Sequence, residues 1–267
     1  MNEPSWRRIL ELQQEYFIKR LHSFLIDSFY LDYKPIDLSC FNSSLETESN
    51  YKHLTKFGYS ELIKVDLEED EWMRLNHFCE EMVNKYCYSV CVKGLLHRDK
   101  EKYANYFIGK LGEEAVKRCL GDFITDVDYK IYPHGDGGID FRLIAKNDIG
   151  IQVKTIPLYR FPQGNEVTGD EYITNSAKIR DIDWKIERED TKKSKILICV
   201  LMLSCIQGDI MKNKIYDGDT YNFVIAGFKP TKDIQNGNYP IINNYYNLKI
   251  KDLLYGGGIH AYLESLN

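Results

Sequence analysis

The stretch His134-Gly135-Asp136-Gly137-Gly138-Ile139-Asp140-Phe141-Arg142-Leu143-Ile144-Ala145-Lys146-Asn147-Asp148-Ile149-Gly150-Ile151-Gln152-Val153-Lys154-Thr155 reads as a β-hairpin carrying a polar site. Alternate residues of a strand point to opposite faces. Ile139, Phe141, Leu143 and Ala145 therefore share one face of a first strand, and Ile149, Ile151 and Val153 share one face of a second. If both apolar faces pack on the core, Asp140, Gln152 and Lys154 project together from the reverse side. They do so only when paired residue numbers sum to an even number. A two-residue turn at Asn147-Asp148 would pair 146 with 149 and separate them, whereas a three-residue loop, or a turn plus a bulge, keeps them together. The pattern predicts that the tight turn is not used.

Upstream of the hairpin the periodicity is helical. Trp6, Ile9, Leu10, Phe17, Leu21, Phe24 and Leu25 predict a long amphipathic helix ending before Pro35. The polar stretch from Asn42 to Asn50 reads as a loop. Asp66, Glu68, Glu69, Asp70 and Glu71 sit at the head of a second helix carrying Trp72, Leu75, Phe78, Met82, Val83 and Tyr86, where negative charge suits the helix dipole. A third helix is predicted from about Asp99, a candidate N-cap, to Leu120, ending near Gly121. Val127, Tyr129 and Ile131 alternate, which predicts a strand between Phe123 and Tyr132.

Downstream, Pro157, Pro162, Gly164 and Gly169 mark a long loop, followed by a helix from about Asn175 to Glu189 that carries Trp184. Ile196 to Leu203 is a continuous apolar run, as expected of a central strand buried on both faces, and Tyr221 to Phe228 reads as another strand. The tail holds Tyr245, Tyr246, Leu248, Leu253 and Leu254, then three glycines and a short terminal helix. The expected architecture is α/β, a mixed sheet with helices against it. Residues 1–97 form a helical N-terminal region, 98–230 the core, and 231–267 a C-terminal extension packing on that core.

Composition bounds the function. With 43% apolar and 28% charged residues, the 267-residue chain is of ordinary globular type. Thirty-five basic against forty acidic residues, a formal charge of −5, argue against an indiscriminate polyanion binder, although a local basic face can coexist with an acidic remainder. Seven cysteines without a Cys-x-x-Cys pair point to reduced, packed thiols and not to zinc; Cys79, Cys87 and Cys91 fall on helical spacing. No apolar run reaches membrane-spanning length and the first residues lack the apolar segment of a signal peptide, so a cytoplasmic protein without a membrane partner is expected. The glycines from 135 to 138 match neither the P-loop nor the dinucleotide fingerprint, so no nucleotide cofactor is expected.

The polar face of the hairpin suits hydrolysis. Asp140 and the side-chain oxygen of Gln152 are hard oxygen ligands suited to Mg2+, with the carbonyl of Val153 as another candidate. Lys154 could hold or deprotonate an attacking water and counter charge developing on a phosphate. Such a site needs one further acid, and the preceding helix offers Glu113 and Glu114. Helical periodicity does not settle that choice, since the upstream apolar residues favour Glu114.

Gly135-Asp136-Gly137-Gly138-Ile139-Asp140 followed by Ile151-Gln152-Val153-Lys154 resembles the catalytic signature of the PD-(D/E)xK nuclease superfamily, and more narrowly its Mrr-like restriction endonuclease branch, where Gln replaces the second acid. Gly112-Glu113-Glu114-Ala115-Val116, with Cys119 and Leu120 after it, is similar to that family's acid-bearing helix, and the match of its apolar positions selects Glu113. The resemblance covers roughly residues 100 to 228. It implies a restriction-endonuclease-like mixed sheet flanked by helices and a metal-dependent endodeoxyribonuclease using Mg2+, with Mn2+ as a substitute. It further implies DNA as partner, a homodimer or higher oligomer, and a place in restriction or anti-phage defence. Glu113, Asp140, Gln152 and Val153 are the implied metal ligands, and Glu113, Asp140, Gln152 and Lys154 the implied catalytic set. The neutral Gln152 oxygen leaves the metal with one less negative charge than most members supply.

Each residue also has a plainer reading. Asp140 can be a turn residue, and Gln152 and Lys154 a solvated strand face. His134, Gly137 and Gly138 are candidates to approach a phosphate backbone, with a surface turn as the plainer account. Lys178, Arg180 and Lys185 are candidate phosphate contacts, or a solvated face shared with Asp181, Asp183 and Glu187. The alternative function is a catalytically inactive nucleic-acid-binding or assembly subunit that keeps the nuclease fold.

Overall fold

Strand β5, Ile196–Met202, lies at the centre of the structure, and all seven of its residues are buried. The structure is a computed structural model that describes residues 7–8, 10–15, 17–18, 63–86, 95–131, 138–157, 183–203, 218 and 220–266. A run of apolar and β-branched residues with no polar face can be satisfied only by cover on both sides. β5 pairs in parallel with β3, Gly150–Pro157, and antiparallel with β6, Thr220–Pro230. β1, Ile63–Asp66, closes one edge of the sheet against β6, and β2, Phe141–Arg142, closes the other against β3. The five strands run in the order β1-β6-β5-β3-β2, so the fold is mixed α/β with a mixed sheet.

Helices α1, Glu69–Tyr86, and α2, Leu95–Leu120, pack on each other, and α2 also packs on β1 and β3. Glu69, Asp70 and Glu71 occupy the first turn of α1, as the charge pattern predicts. A Cβ on Gly112 would overlap the Thr155 side chain. The absence of a side chain there lets α2 approach β3 closely and sets the position of the next residue, Glu113. The described residues between 7 and 18 are helical, and Gln14 Nε2 donates to the carbonyls of Ala226 (2.8 Å) and Ile250 (2.9 Å), which ties this segment to β6 and the tail.

The hairpin has the register that parity requires. Phe141 pairs with Ile151 and Arg142 with Gly150, an even sum in each case. Leu143 N donates to Ile149 O (3.0 Å), so residues 144–148 form a five-residue connection and Asn147-Asp148 is not a two-residue turn. Phe141 and Leu143 are buried, but the first strand is shorter than predicted and Ala145 lies exposed in the connection.

Three expectations are corrected. Residues 123–131 form no strand: Ile124 makes a single bridge to Leu143, and the chain beyond it is held by helix side chains, with Lys110 Nζ donating to Asp128 O (2.8 Å) and Tyr129 Oη to Glu114 Oε1 (2.6 Å). The described end of the predicted 175–189 helix is instead strand β4, Asp183–Glu187, followed by a short helix α3, Arg188–Lys193. The alternation of Trp184 and Ile186 is satisfied by a partner far along the chain. β8, Tyr245–Lys249, pairs with β4 and buries Tyr246 and Leu248 beside them. Lastly, the region read as helical up to residue 97 contributes β1 to the sheet.

β4, β8 and β7, Ile241–Ile242, make a second, three-stranded sheet, and the tail thus pairs with a segment read as part of the core. Asn243 and Asn244, both at positive φ, make the two-residue turn between β7 and β8. Helices α4, Thr231–Asn236, and α5, Ile259–Leu266, complete the described chain. Among the described cysteines Cys79 and Cys199 are buried free thiols, and burial pushes both well above the usual range. Among the described residues no helix is long and apolar enough to cross a membrane. The predicted elements from 19 to 62 and from 158 to 182, with Cys40, Cys87, Cys91 and Cys205, lie outside the described residues.

Candidate active site

A cleft of about 810 Å3 opens where α2, the entry to β2 and the second half of β3 meet. Glu113, Asp140, Val153 and Lys154 all line it, although they come from a helix, a loop and a strand. Asp140 sits just before β2 and accepts a hydrogen bond at Oδ2 from Val153 N (2.6 Å), so the carboxylate is fixed to the strand that carries Lys154. A residue's N–H and C=O leave a strand on the same edge. The Val153 carbonyl is therefore on the Asp140 side.

Glu113 is buried and pairs with Lys110, whose Nζ donates to Oε2 at 2.6 Å. Lys110 also lies 5.0 Å from the Phe78 ring centroid and 5.9 Å from that of Tyr129, so its charge is taken up by a carboxylate, a carbonyl and two aromatic faces. Glu114 is not on the cleft wall; it accepts from Tyr129. Burial, and then the neighbouring Glu114 charge, push the Tyr129 phenol well above its ordinary range, which keeps it a donor. The two acids that helical periodicity left open are thus separated, with Glu113 on the cleft and Glu114 off it.

Gln152 does not line the cleft. It is 1% exposed, and its Nε2 donates to Asp190 Oδ2 at 2.6 Å. Its Oε1 is buried without a hydrogen-bond partner among the described residues. Lys154 belongs to both environments, lining the cleft while its Nζ stands 3.4 Å from the same Asp190 oxygen. On this face Gln152 is thus buried against Asp190 of α3, whereas Lys154 stays partly exposed. Lys130 and Arg142 are exposed residues of the cleft wall, which also carries Asp126 and Asp128.

Asp190 and Lys110 are absent from the sequence reading. Lys110 had a signal, since it stands three residues before Glu113 on one helix face. Asp190 had none: it is 38 residues beyond Gln152, on an element whose limits periodicity misplaced. Of the candidate substrate contacts, Gly138 is described, with φ +74° and a missing Cβ that would overlap the Asp190 carboxylate. It makes room for a protein side chain. Lys185 is on strand β4, exposed, and not on a helix. His134, Gly137, Lys178 and Arg180 lie outside the described residues.

Of the oxygen donors expected to hold a hard cation, the Glu113 and Asp140 carboxylates and Val153 line the cleft, and Gln152, whose buried Oε1 has no hydrogen-bond partner among the described residues, does not. Among the described residues no three His, Cys, Asp or Glu side chains are grouped as an ion site. What the fold and cleft define is a mixed α/β protein whose cleft is lined by four acidic residues, Glu113, Asp126, Asp128 and Asp140, and four basic ones, Lys110, Lys130, Arg142 and Lys154. Comparison with protein-family models, with curated proteins and with solved structures gives no match.

Proposed function

We propose that the protein is a metal-dependent endonuclease that hydrolyses phosphodiester bonds of DNA, built on a PD-(D/E)xK-like core. One observation carries the reading: Glu113, Asp140, Val153 and Lys154, the helix acid and the hairpin residues of the signature, share one cleft. The cleft's donors fit Mg2+ or Mn2+, because the Glu113 and Asp140 carboxylates and the Val153 carbonyl are hard oxygens. A divalent cation held there supplies Lewis-acid neutralisation of charge on the phosphate.

The protein's own groups do the rest. Lys154, tied on one side to Asp190, presents an ammonium to the cleft, where it orients the attacking water and offsets charge as the P–O ester bond breaks. Asp140, locked to Val153 N, holds the hairpin edge in register with the phosphate. Lys130 and Arg142 are the exposed cations that could contact the backbone of a polyanion, although Asp126 and Asp128 line the same cleft. Cutting both strands of a duplex takes two such sites, so a homodimer goes with the reading.

A second reading has one observation in its favour. Lys110 already neutralises Glu113, as expected of a nuclease fold kept for binding or assembly without turnover. The two are separated by incubating plasmid, linear and single-stranded DNA with the wild type, Lys154→Ala and Asp140→Asn, in Mg2+, Mn2+ or EDTA. The endonuclease reading expects nicking by the wild type that EDTA stops and that both variants lose by a factor of about 10² or more. Equal nicking by all three proteins rejects it. DNA binding that survives in both variants, with no cleavage by any of them, supports the binding subunit.

A further inference from the structure

The cleft is larger than its charged groups need. Its volume of about 810 Å3 falls in the range of pockets that hold a whole small ligand, roughly 300–1,000 Å3, and exceeds what a cation and one phosphate fill. Five of its lining residues are uncharged: Phe78 and Met82 of α1, Tyr106 and Gly109 of α2, and Val127. They adjoin the charged residues, since Lys110 stands 5.0 Å from the Phe78 ring centroid. Tyr106, Gly109 with Lys110, and Glu113 follow at helical spacings of three and four, so one stripe of α2 changes from aromatic to charged over about 10 Å of helix.

Gly109 sets the apolar stretch apart. A Cβ on Gly112 would overlap Thr155, whereas a Cβ on Gly109 would meet no atom of the described residues within 4 Å. A glycine weakens a helix interior, and at 109 no close approach of another described element accounts for it. Its effect is to leave the cleft open between Tyr106 and Glu113.

We propose that the cleft takes one nucleotide of a DNA strand with its base out of the stack, the phosphate beside Asp140 and Lys154 and the base over Gly109, against Tyr106 and Met82. The proposal rests on the endonuclease reading and narrows its substrate to single-stranded or unpaired DNA. An unstacked base has two flat faces that suit an aromatic ring and a thioether, and a polar edge that suits the exposed amide of Asn105 at the same end of the cleft. A paired base must first lose its stacking and pairing, so an unpaired one enters more readily. Of the acids that would repel a strand, Asp126 is paired with Lys117 (2.9 Å) and Asp128 Oδ1 accepts from Lys130 N (2.8 Å).

The test is fluorescence anisotropy in EDTA, where no cleavage intervenes, with a short single strand, the same strand carrying abasic sites in place of its bases, and a duplex. The proteins are the wild type, Gly109→Ala and Gly109→Leu, with thermal melting of each and nicking kinetics in Mg2+ alongside. The wild type is expected to bind the single strand about 10-fold or more tighter than the abasic strand or the duplex. Gly109→Leu should melt at or above the wild type and lose that preference, because its side chain fills the place of the base; Gly109→Ala, with one methyl group there, should lose less. Should binding wait on the cation, KM in Mg2+ ranks the same three substrates.

Equal affinity for the strand with bases and the abasic strand, a duplex bound as tightly as the single strand, or a folded Gly109→Leu that keeps the wild-type preference, overturns the proposal. Metal-dependent nicking in any of those cases leaves the endonuclease reading standing. A wild type that binds none of the three and nicks nothing removes both. Should Gly109→Leu fail to fold, the abasic strand on the wild type decides alone.

Discussion

Lys110 and Lys154 both line the cleft and both meet a carboxylate, but the two pairs differ in burial, in length and in the chain distance between partners. Lys110 and Glu113 stand three residues apart on α2, with side chains 9% and 10% exposed and 2.6 Å between the charged atoms. Lys154 and Asp190 come from a strand and a helix, with side chains 35% and 14% exposed and 3.4 Å between them. A pair buried to the first extent is stable only while both charges are matched, because each has left water. The second pair is partly solvated, and its lysine keeps one side open to the cleft. The first pair builds the wall; the second leaves a cation at its surface.

That contrast can be broken by measurement. The largest effect is expected from Lys110→Ala, which strands the Glu113 carboxylate in a buried site and should cost about 3–5 kcal/mol in denaturant unfolding. A loss below about 1 kcal/mol would mean that the pair is not charge-bound. Gly112→Ala forces a Cβ against Thr155 and should cost about 1–3 kcal/mol, with part of the loss recovered by adding Thr155→Ala in a double-mutant cycle. Simple additivity of the two changes would show that α2 does not rest on Thr155. The smallest effect on folding is expected from Lys154→Ala, about 1 kcal/mol or less, because its pair is half-open to water. This is why its loss of nicking can be read as chemistry, whereas activity lost with Lys110 or Glu113 would be confounded by unfolding.

The most legible features were those set by neighbours in sequence. The seven-residue buried strand β5, the acidic head of α1, the end of α2 at Leu120 and the even register of the hairpin all follow from composition and periodicity over a few residues. Four of the signature residues were legible as a group, and the cleft brings them to one wall. Trp184 shows the opposite case. Its surroundings carry charged residues at helix-like spacing, yet Asp183–Glu187 is a strand because β8, about sixty residues later, pairs with it and buries Trp184 and Ile186. Val127, Tyr129 and Ile131 alternate like a strand and are not one: no ladder forms there, the Asp128 carbonyl accepts from Lys110 and the Tyr129 side chain donates to Glu114.

By itself, then, the sequence determined which residues share a polar face of the hairpin, Asp140, Gln152 and Lys154 by parity, and placed an acid at 113 or 114 on the preceding helix. Tertiary structure decided which way those residues look. Gly112 lets α2 come close enough to put Glu113 on the cleft and leave Glu114 with Tyr129, and Gly138 lets Asp190 reach Gln152 and Lys154. The reason is physical. Side-chain parity is a property of one strand and survives in a string of letters, but the partner of a buried polar atom is set by whichever distant segment packs against it, and chain order does not record that.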